Sequence, residues 1–292
     1  MKALYIVGDS RSGSTLLQHL LALQDSVTAL GEVHRLEGLV HAGELCSCGR
    51  PVDECPFWRR VAAHAGLPLE EVRTSTASPL LRRWLAQVSA WAALRYGLER
   101  PVRKLLVREQ QVAANCLALY KAAGQLTGSR AVVDTSKLPA QFLHLYLTGG
   151  NLVRPVLLVR DGRAVVWSKM QRRGDLSVAL IARRWLRVSR AMLALQRILP
   201  SPDRNFVYYE DLCRNPIKVL ESILGRVNTT VQSTELGDLS DERHDLGGSP
   251  RFRKRRSVEI QADERWRTEM PKDALATFER IAGPMNRRLG YA

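Results

Sequence analysis

A short apolar segment, followed by a glycine-rich loop and a leucine-rich segment, most constrains how this chain folds. Residues 3–7 read Ala-Leu-Tyr-Ile-Val, which predicts a buried strand. Residues 8–15 read Gly-Asp-Ser-Arg-Ser-Gly-Ser-Thr, and leucines at helical spacing follow, which predicts a helix over 13–23. A strand, a glycine-rich turn and a helix in this order begin many doubly wound sheets. The sequence therefore predicts an α/β fold with ligands at the carboxyl ends of its strands.

The rest of the chain continues the alternation of strands and helices. Buried strands are predicted at 131–133, 154–159 and 206–209, and the nearly unbroken apolar character of 154–159 suits a parallel sheet covered on both faces. Helices are predicted at 139–147, 161–173, 176–198, 215–226 and 271–288. We expect a three-layer sandwich around a central parallel sheet, formed by one domain, residues 1–292.

Residues 36–128 differ from the rest of the chain. Outside a cysteine-rich stretch they predict helices at 56–65, 79–97 and 103–126, and they contain no convincing buried strand. We interpret 36–128 as a mainly helical insertion in the α/β domain.

The charge balance favours anionic partners. There are 44 Lys and Arg against 29 Asp and Glu, a formal net charge of +15. Nucleotides, nucleic acid, anionic glycans and an acidic membrane surface all fit this charge, and so does a general role in solubility. No run of roughly 18 apolar residues exists, so no membrane span is predicted. The first apolar segment is too short for a signal peptide, and we expect a cytoplasmic protein.

The loop at 8–15 has the composition of an anion-binding site. Gly8 and Gly13 allow a tight turn and a close approach of the backbone to an anion. The first amides of the following helix point at that anion, and Arg11 adds a positive charge. Further donors are the hydroxyls of Ser12, Ser14 and Thr15. A glycine–serine turn without a ligand is the alternative interpretation.

Comparison with the Walker loop, GxxxxGK[ST], narrows the choice of anion. Both glycines and the final Thr15 are present, but Ser14 occupies the lysine position and the cation is Arg11. A nucleoside triphosphatase needs that lysine on its terminal phosphates. The loop therefore favours a shorter anion, a phosphate that carries a sulfuryl group, and leaves a P-loop kinase as the alternative.

A second anchor follows the strand at 154–159. Arg160 comes directly after this strand, and Ser168 follows eight residues later, about two helical turns on. The two side chains can converge on one phosphate, the arginine as a charged fork and the serine as a hydroxyl donor. Alternatively, Arg160 and Asp161 form a cap and an ion pair.

Taken together, these segments resemble the sulfotransferases that use 3′-phosphoadenosine 5′-phosphosulfate (PAPS). The resemblance is to the bacterial type, related to the carbohydrate and tyrosylprotein enzymes. It rests on residues 11–16, 160–168 and 209–212 with Asn215-Pro216, which span the sheet and about half of the chain. It implies a P-loop-like sulfotransferase fold, PAPS as donor, 3′,5′-phosphoadenosine (PAP) as product, and no metal requirement.

The resemblance also implies roles for individual residues in donor binding. The segment from Arg11 to Leu16 would hold the 5′-phosphosulfate, while Arg160 and Ser168 would hold the 3′-phosphate. Tyr209 would lie against the adenine, unless Tyr208 serves there or both belong to the core.

A late segment, 244–251, resembles a family segment that folds over the donor. It implies that Arg251 is a further ligand of the 3′-phosphate, although a solvated basic loop is an equal interpretation.

Sulfuryl transfer requires a base near the acceptor, cations beside the transferred group and exclusion of water. Glu32 is our first choice as base, because the tyrosylprotein enzymes carry a Gly-Glu pair in the matching place. His34 is its rival, since imidazole titrates near neutral pH. The resemblance assigns Lys137 to the transferred group and Arg11 to the leaving phosphate. Asp134 would orient these cations.

The cysteine-rich stretch contains Cys46, Cys48 and Cys55. A similar segment is familiar in bacterial relatives, which makes it a feature of the insertion rather than of the reaction. We favour structural packing or a local disulfide. A zinc site with His41 as fourth ligand is the alternative.

The acceptor is not specified by the sequence. A hydroxyl is expected in preference to an amine, on a small molecule, glycan, lipid or peptide, with the insertion as the acceptor-binding lobe. A non-catalytic nucleic-acid binder is a further alternative, but the cations fall in short clusters without interleaved aromatic residues, so no nucleic-acid partner is expected. The sequence does not indicate an oligomeric state.

Overall fold

The computed structural model describes residues 1–75, 107–172, 176–232, 243–248 and 260–292. The helix predicted at 79–97 and the candidate ligand Arg251 lie outside the described residues, as do the first residues of the helix predicted at 103–126 and most of the loop that contains Arg251.

The core of the fold is a five-stranded sheet with every strand pair parallel. Its strands are β1 Lys2–Val7, β2 Val27–Gly31, β3 Ala131–Lys137, β4 Val153–Val159 and β5 Phe206–Tyr208. The order across the sheet is β2-β3-β1-β4-β5. Since β1 is central and its neighbours β3 and β4 lie on opposite sides, the loop that follows β1 lies at the point where the strand order reverses.

Helices cover both faces of this sheet. Those in the described part of the chain are α1 Ser14–Ala22, α2 Leu36–His41, α3 Pro56–His64, α4 Val107–Thr127, α5 Pro139–Gly149, α6 Gly162–Met170, α7 Val178–Ile198, α8 Tyr209–Arg214, α9 Pro216–Leu224, α10 Trp266–Glu269 and α11 Lys272–Arg288. Proline begins α3, α5 and α9, where its missing N–H costs no helical hydrogen bond. None of these helices is long and apolar enough to cross a bilayer.

Alternation along the strands produces two cores, one on each face. Along β1, Leu4 and Ile6 pack into one core with the leucines of α1, whereas Tyr5 and Val7 pack into the other with α4 to α6. All of these side chains are fully buried. The predicted three-layer α/β sandwich with a central parallel sheet is thereby confirmed.

The described part of the insertion is helical and shares the core of the sheet. Besides α2, α3 and α4 it contains an isolated antiparallel bridge between Leu45 and Pro51. Trp58 of α3 and Tyr120 of α4 are fully buried in the same core as Tyr5. These helices therefore pack against the sheet through a shared apolar core.

Candidate functional site

Each of the five strands ends beside a residue or loop that the sequence singled out. β1 leads into the loop at 8–15, and β2 ends immediately before Glu32. β3 ends at Lys137, β4 immediately before Arg160, and β5 immediately before Tyr209. Because the strands are parallel, these positions lie along one edge of the sheet.

The loop that follows β1 is shaped by left-handed backbone conformations. Arg11 has φ 74° and Gly13 has φ 90°. Side chains rarely tolerate this region, which costs a non-glycine residue roughly 1–2 kcal/mol. A Cβ on Gly13 would also overlap the ring of Tyr209. Glycine at position 13 therefore satisfies both the backbone turn and the close approach of β5, and α1 can begin at Ser14.

Arg11, Arg160, Ser168 and Tyr209 converge beside this loop, and we call them the anion cluster. The Nε of Arg11 donates to Oγ of Ser168 at 2.9 Å. The Nη1 of Arg160 donates to the carbonyl of Arg11 at 2.9 Å, and its guanidinium lies 4.2 Å from the ring centroid of Tyr209. Residues from three distant parts of the sequence are thus linked by direct contacts.

Arg160 is buried without a carboxylate partner in the described part of the chain. Only 5% of its surface is exposed. Its two hydrogen bonds run to the backbone carbonyls of Arg11 and Asp263, each at 2.9 Å, and its Nε has no acceptor among the described residues. Carbonyls orient a guanidinium without neutralising it, so this position suits an anionic ligand.

Three charged residues beside the loop were missed by the sequence analysis. Asp9 is buried, and its carboxylate pairs with Nζ of Lys169 at 2.6 Å and with Nε of Arg184 at 3.2 Å. Burial lowers the pKa of Lys169, and Asp9 opposes that shift. The signal for Lys169 was its place directly after Ser168. Arg184 carries no such signal, because it comes from the separate helix α7.

Glu32 and Lys137 form a close pair at the ends of β2 and β3. The Nζ of Lys137 lies 2.6 Å from Oε1 of Glu32 and donates to the carbonyl of Thr135 at 2.6 Å. Burial disfavours the charged form of Glu32, but Lys137, with His34 and Arg35, outweighs it, so its pKa lies below the ordinary value. Glu32 is therefore an ionised carboxylate near neutral pH.

His34 lies close to Glu32 but is a weaker base than an ordinary imidazole. Burial lowers its pKa to about 4, against the opposing charge of Glu32. Its Nδ1 is buried and has no hydrogen-bond partner among the described residues, while its backbone N–H donates to Oγ of Ser136 at 3.1 Å. At so low a pKa His34 has no advantage as a base over Glu32, whose pKa is also lowered.

Asp134 is placed differently from the direct orienting role that we expected. It is fully buried, accepts from the Tyr120 hydroxyl and from the backbone N–H of Ser136, and makes no hydrogen bond to Lys137. Burial raises its pKa to about 6. Asp134 thus fixes the end of β3, and it interacts with Lys137 by charge and not by a hydrogen bond.

The turn at 243–248 lies close both to Glu32 and to the loop at 8–15. The N–H of Glu32 donates to the carbonyl of Leu246 at 2.7 Å, and the N–H of Leu246 donates to the β2 carbonyl at position 30 at 3.0 Å. A Cβ on Gly247 would lie 3.1 Å from Oε2 of Glu32, and one on Gly248 would lie 3.8 Å from Cγ2 of Thr15. Since consecutive Cα atoms are about 3.8 Å apart, Glu32 and the loop flank the same short turn.

The cysteines of the insertion meet a histidine from this turn. Ligand atoms of Cys46, Cys48, Cys55 and His244 all lie within 4.8 Å of one another, and the three thiols are free. His41, the fourth ligand of the zinc alternative, is not a member of this cluster. His41 is the last residue of α2, and its Nδ1 lies 2.7 Å from the carbonyl of Glu37, one helical turn back.

A family model described as the sulfotransferase family matches residues 3–233. None of the curated proteins matches the chain.

Two solved structures share the fold. The sulfotransferase domain from the Synechococcus PCC 7002 olefin synthase is 24% identical, with a TM-score of 0.56, over 96% of this chain and 94% of that one. The sulfotransferase domain from the curacin biosynthetic pathway is 18% identical, with a TM-score of 0.61, over 100% of this chain and 98% of that one. The family match takes in all five strands and the residues at their carboxyl ends, and we conclude that the protein belongs to the sulfotransferase family.

Proposed function

We propose that this protein transfers the sulfuryl group of PAPS to a hydroxyl group of an acceptor and releases PAP. The observation that carries the proposal is the presence, along one sheet edge, of two features: the buried guanidinium of Arg160, which forms no ion pair with the described residues, and the Lys137–Glu32 pair. The first suits binding of an anionic donor, and the second suits proton removal beside a cation. Family membership supports sulfuryl transfer as the reaction.

In this proposal the loop and the anion cluster bind the donor. The amides at the start of α1, with Ser12, Ser14 and Thr15, hold the 5′-phosphosulfate, and Leu16 anchors the helix in the core beneath them. Arg160 and Ser168 hold the 3′-phosphate, the group that distinguishes PAPS from other adenine nucleotides. The guanidinium of Arg11 contacts Ser168 and its carbonyl contacts Arg160, so Arg11 joins the loop to both of these residues.

Tyr209 contributes to this site in a way that differs from the expected adenine contact. Its ring is only 7% exposed, packs against Gly13 and lies under Arg160. Little of the ring face is left for a base. We infer that Tyr209 supports the loop and the guanidinium, and its contact with adenine stays a prediction.

The transfer step uses the pair at the ends of β2 and β3. Glu32 takes the proton of the acceptor hydroxyl, whose oxygen then bonds to sulfur while the bond from sulfur to the 5′-phosphate oxygen breaks. The electron pair of that bond leaves with PAP, where Arg11 neutralises it. If Lys137 moves from Glu32 towards the sulfuryl oxygens, it stabilises their charge and makes Glu32 more basic in the same motion.

A donor panel tests the proposal. Binding of PAP, adenosine 5′-phosphate and ATP is measured by calorimetry, and transfer from labelled PAPS and labelled ATP is followed against phenols, glycans and lipids. We expect PAP to bind at least about tenfold more tightly than adenosine 5′-phosphate, because a charge-assisted hydrogen bond contributes about 1.5–3 kcal/mol. Phosphate transfer from ATP, with no preference for PAP, would identify a kinase instead.

A further inference from the structure

Four potential metal ligands from two distant parts of the chain form a compact cluster. Cys46 and Cys48 lie in the segment after α2, Cys55 precedes α3, and His244 lies in the turn beside Glu32. Cys46 and Cys55 are buried, while Cys48 and His244 are partly buried. The hydrophobic core alone does not require three thiols and an imidazole to point at one another.

Two of the distances between the ligand atoms match a tetrahedral zinc ion, and all of them lie within 4.8 Å. Zn–S bonds of about 2.3 Å and Zn–N bonds of about 2.0 Å place two sulfurs about 3.8 Å apart and a sulfur and a nitrogen about 3.5 Å apart. The Sγ atoms of Cys48 and Cys55 are 3.7 Å apart, and Sγ of Cys55 is 3.3 Å from Nδ1 of His244. Three thiolates and one imidazole are a common set of structural zinc ligands.

The backbone of the cysteine segment is folded to present its first two ligands. Gly49 has φ 84°, which turns the chain back after Cys48. The N–H of Cys46 donates to the carbonyl of Arg50 at 2.9 Å, and the N–H of Gly49 donates to the carbonyl of Cys46 at 3.0 Å. These bonds hold both sulfurs on the inner side of one tight turn.

The imidazole of His244 is held by residues that directly follow Cys55. The ring of Phe57 stacks on it, with centroids 5.0 Å apart and planes inclined by 5°. The indole N–H of Trp58 donates to the carbonyl of His244 at 2.7 Å. These two contacts hold the ring and the backbone of His244 beside Cys55.

We propose that Cys46, Cys48, Cys55 and His244 bind one structural zinc ion. The ion would join the insertion to the turn at 243–248, which already hydrogen-bonds Glu32 through Leu246. Its role is to fix the position of the turn at 243–248 beside Glu32. The ion takes no part in sulfuryl transfer. The proposal rests on this cluster and does not depend on PAPS as the donor.

Metal content of the purified chain tests the proposal directly. Protein expressed with added zinc and purified without chelators should contain one zinc ion per chain, as measured by inductively coupled plasma mass spectrometry. After replacement by Co²⁺ it should show thiolate charge-transfer bands and the intense visible bands of a tetrahedral site. Folded wild-type protein that retains no zinc, or in which Cys48 and Cys55 form a disulfide, would overturn the proposal.

Matched variants separate the two candidate histidines and the cysteines. His244→Asn should lose most of the bound zinc, whereas His41→Asn should keep it. Cys55→Ser should lose zinc, whereas Cys213→Ser, a cysteine outside the cluster, should keep it. Equal zinc retention by His244→Asn and His41→Asn, with both variants folded by circular dichroism, contradicts the ligand set.

A measurement on the wild-type protein covers variants that fail to fold. A mercurial reagent displaces zinc from thiolates, and the released ion is followed with a colorimetric chelator. We expect release to coincide with modification of the clustered thiols and to increase amide exchange in a peptide that spans 30–33, because the Glu32 amide bonds to the tethered turn. Unchanged exchange there would contradict the tethering role.

Discussion

The two halves of the site are built by different physical means. The proposed donor half, around β1 and β4, depends on a loop with two left-handed residues and on a guanidinium that, among the described residues, donates to two carbonyls and lies over the ring of Tyr209. The proposed acceptor half, around β2 and β3, depends on a short ion pair and on a turn from a distant segment. The first half therefore suits binding of an anion without a change of partners. In the second half Lys137 and Glu32 are already paired, and this ion pair must separate before either side chain can act.

The largest expected effect is a loss of turnover when the acceptor half is altered. If turnover did not fall, the contrast between the two halves would not hold. Glu32→Gln keeps the shape of the side chain but removes the proposed base. We expect turnover to fall by about 10²–10⁴-fold, the usual contribution of general base catalysis, while PAP affinity stays within about twofold. Labelled PAPS assays and calorimetry measure the two quantities. Full activity in this variant would transfer the role to His34 or to the substrate.

Removing the guanidinium tests the donor half. Arg160→Met retains bulk but no charge, and we expect PAP affinity to fall by about 10–100-fold because charge-assisted hydrogen bonds are lost. Affinity for adenosine 5′-phosphate should change much less. Arg214→Met, which alters an exposed arginine paired with Asp211, is the matched control and should leave both affinities unchanged. Parallel losses for both nucleotides would mean that Arg160 does not contact the 3′-phosphate.

A substitution at Asp9 tests whether its buried ion pairs stabilise the loop. Asp9→Asn removes the buried partner of Lys169, and we expect the free energy of unfolding to fall by about 1–3 kcal/mol. Urea denaturation provides the measurement. Asp211→Asn, which breaks an exposed pair, should cost less than about 0.5 kcal/mol. If the two variants lose equal stability, the buried network does not support the loop.

The smallest expected effect sharpens the electrostatics of the acceptor half. The lowered pKa of Glu32 keeps its base form, and its contribution to stability, as the pH falls below the ordinary value of 4.5; both are lost as the pH falls through its folded pKa. Arg35 lies 3.8 Å from Glu32 and is partly exposed. Arg35→Gln should therefore move the acidic limb of the pH–rate profile upward by about 0.2–0.7 unit. A downward shift would mean that another group controls this limb.

Local sequence patterns predicted the sheet and most of the anion cluster. The strands that were predicted all occur in the sheet, and Arg160 and Ser168 each contact Arg11. Apolar alternation and glycine positions are local properties, and a parallel sheet places every strand end on one edge. For this reason the residues after each strand could be grouped before their contacts were known.

Contacts between distant segments could not be read in the same way. Three such contacts join residues far apart in the sequence. Asp9 pairs with Arg184, Arg160 donates to the carbonyl of Asp263, and His244 lies beside the clustered cysteines. No spacing rule connects such residues, because packing of helices and turns sets their distances. The sequence by itself determined a parallel α/β sheet with a glycine-rich loop at its edge. Only the tertiary structure decided which charges meet there, since burial and long-range contacts select the partners that local pattern leaves open.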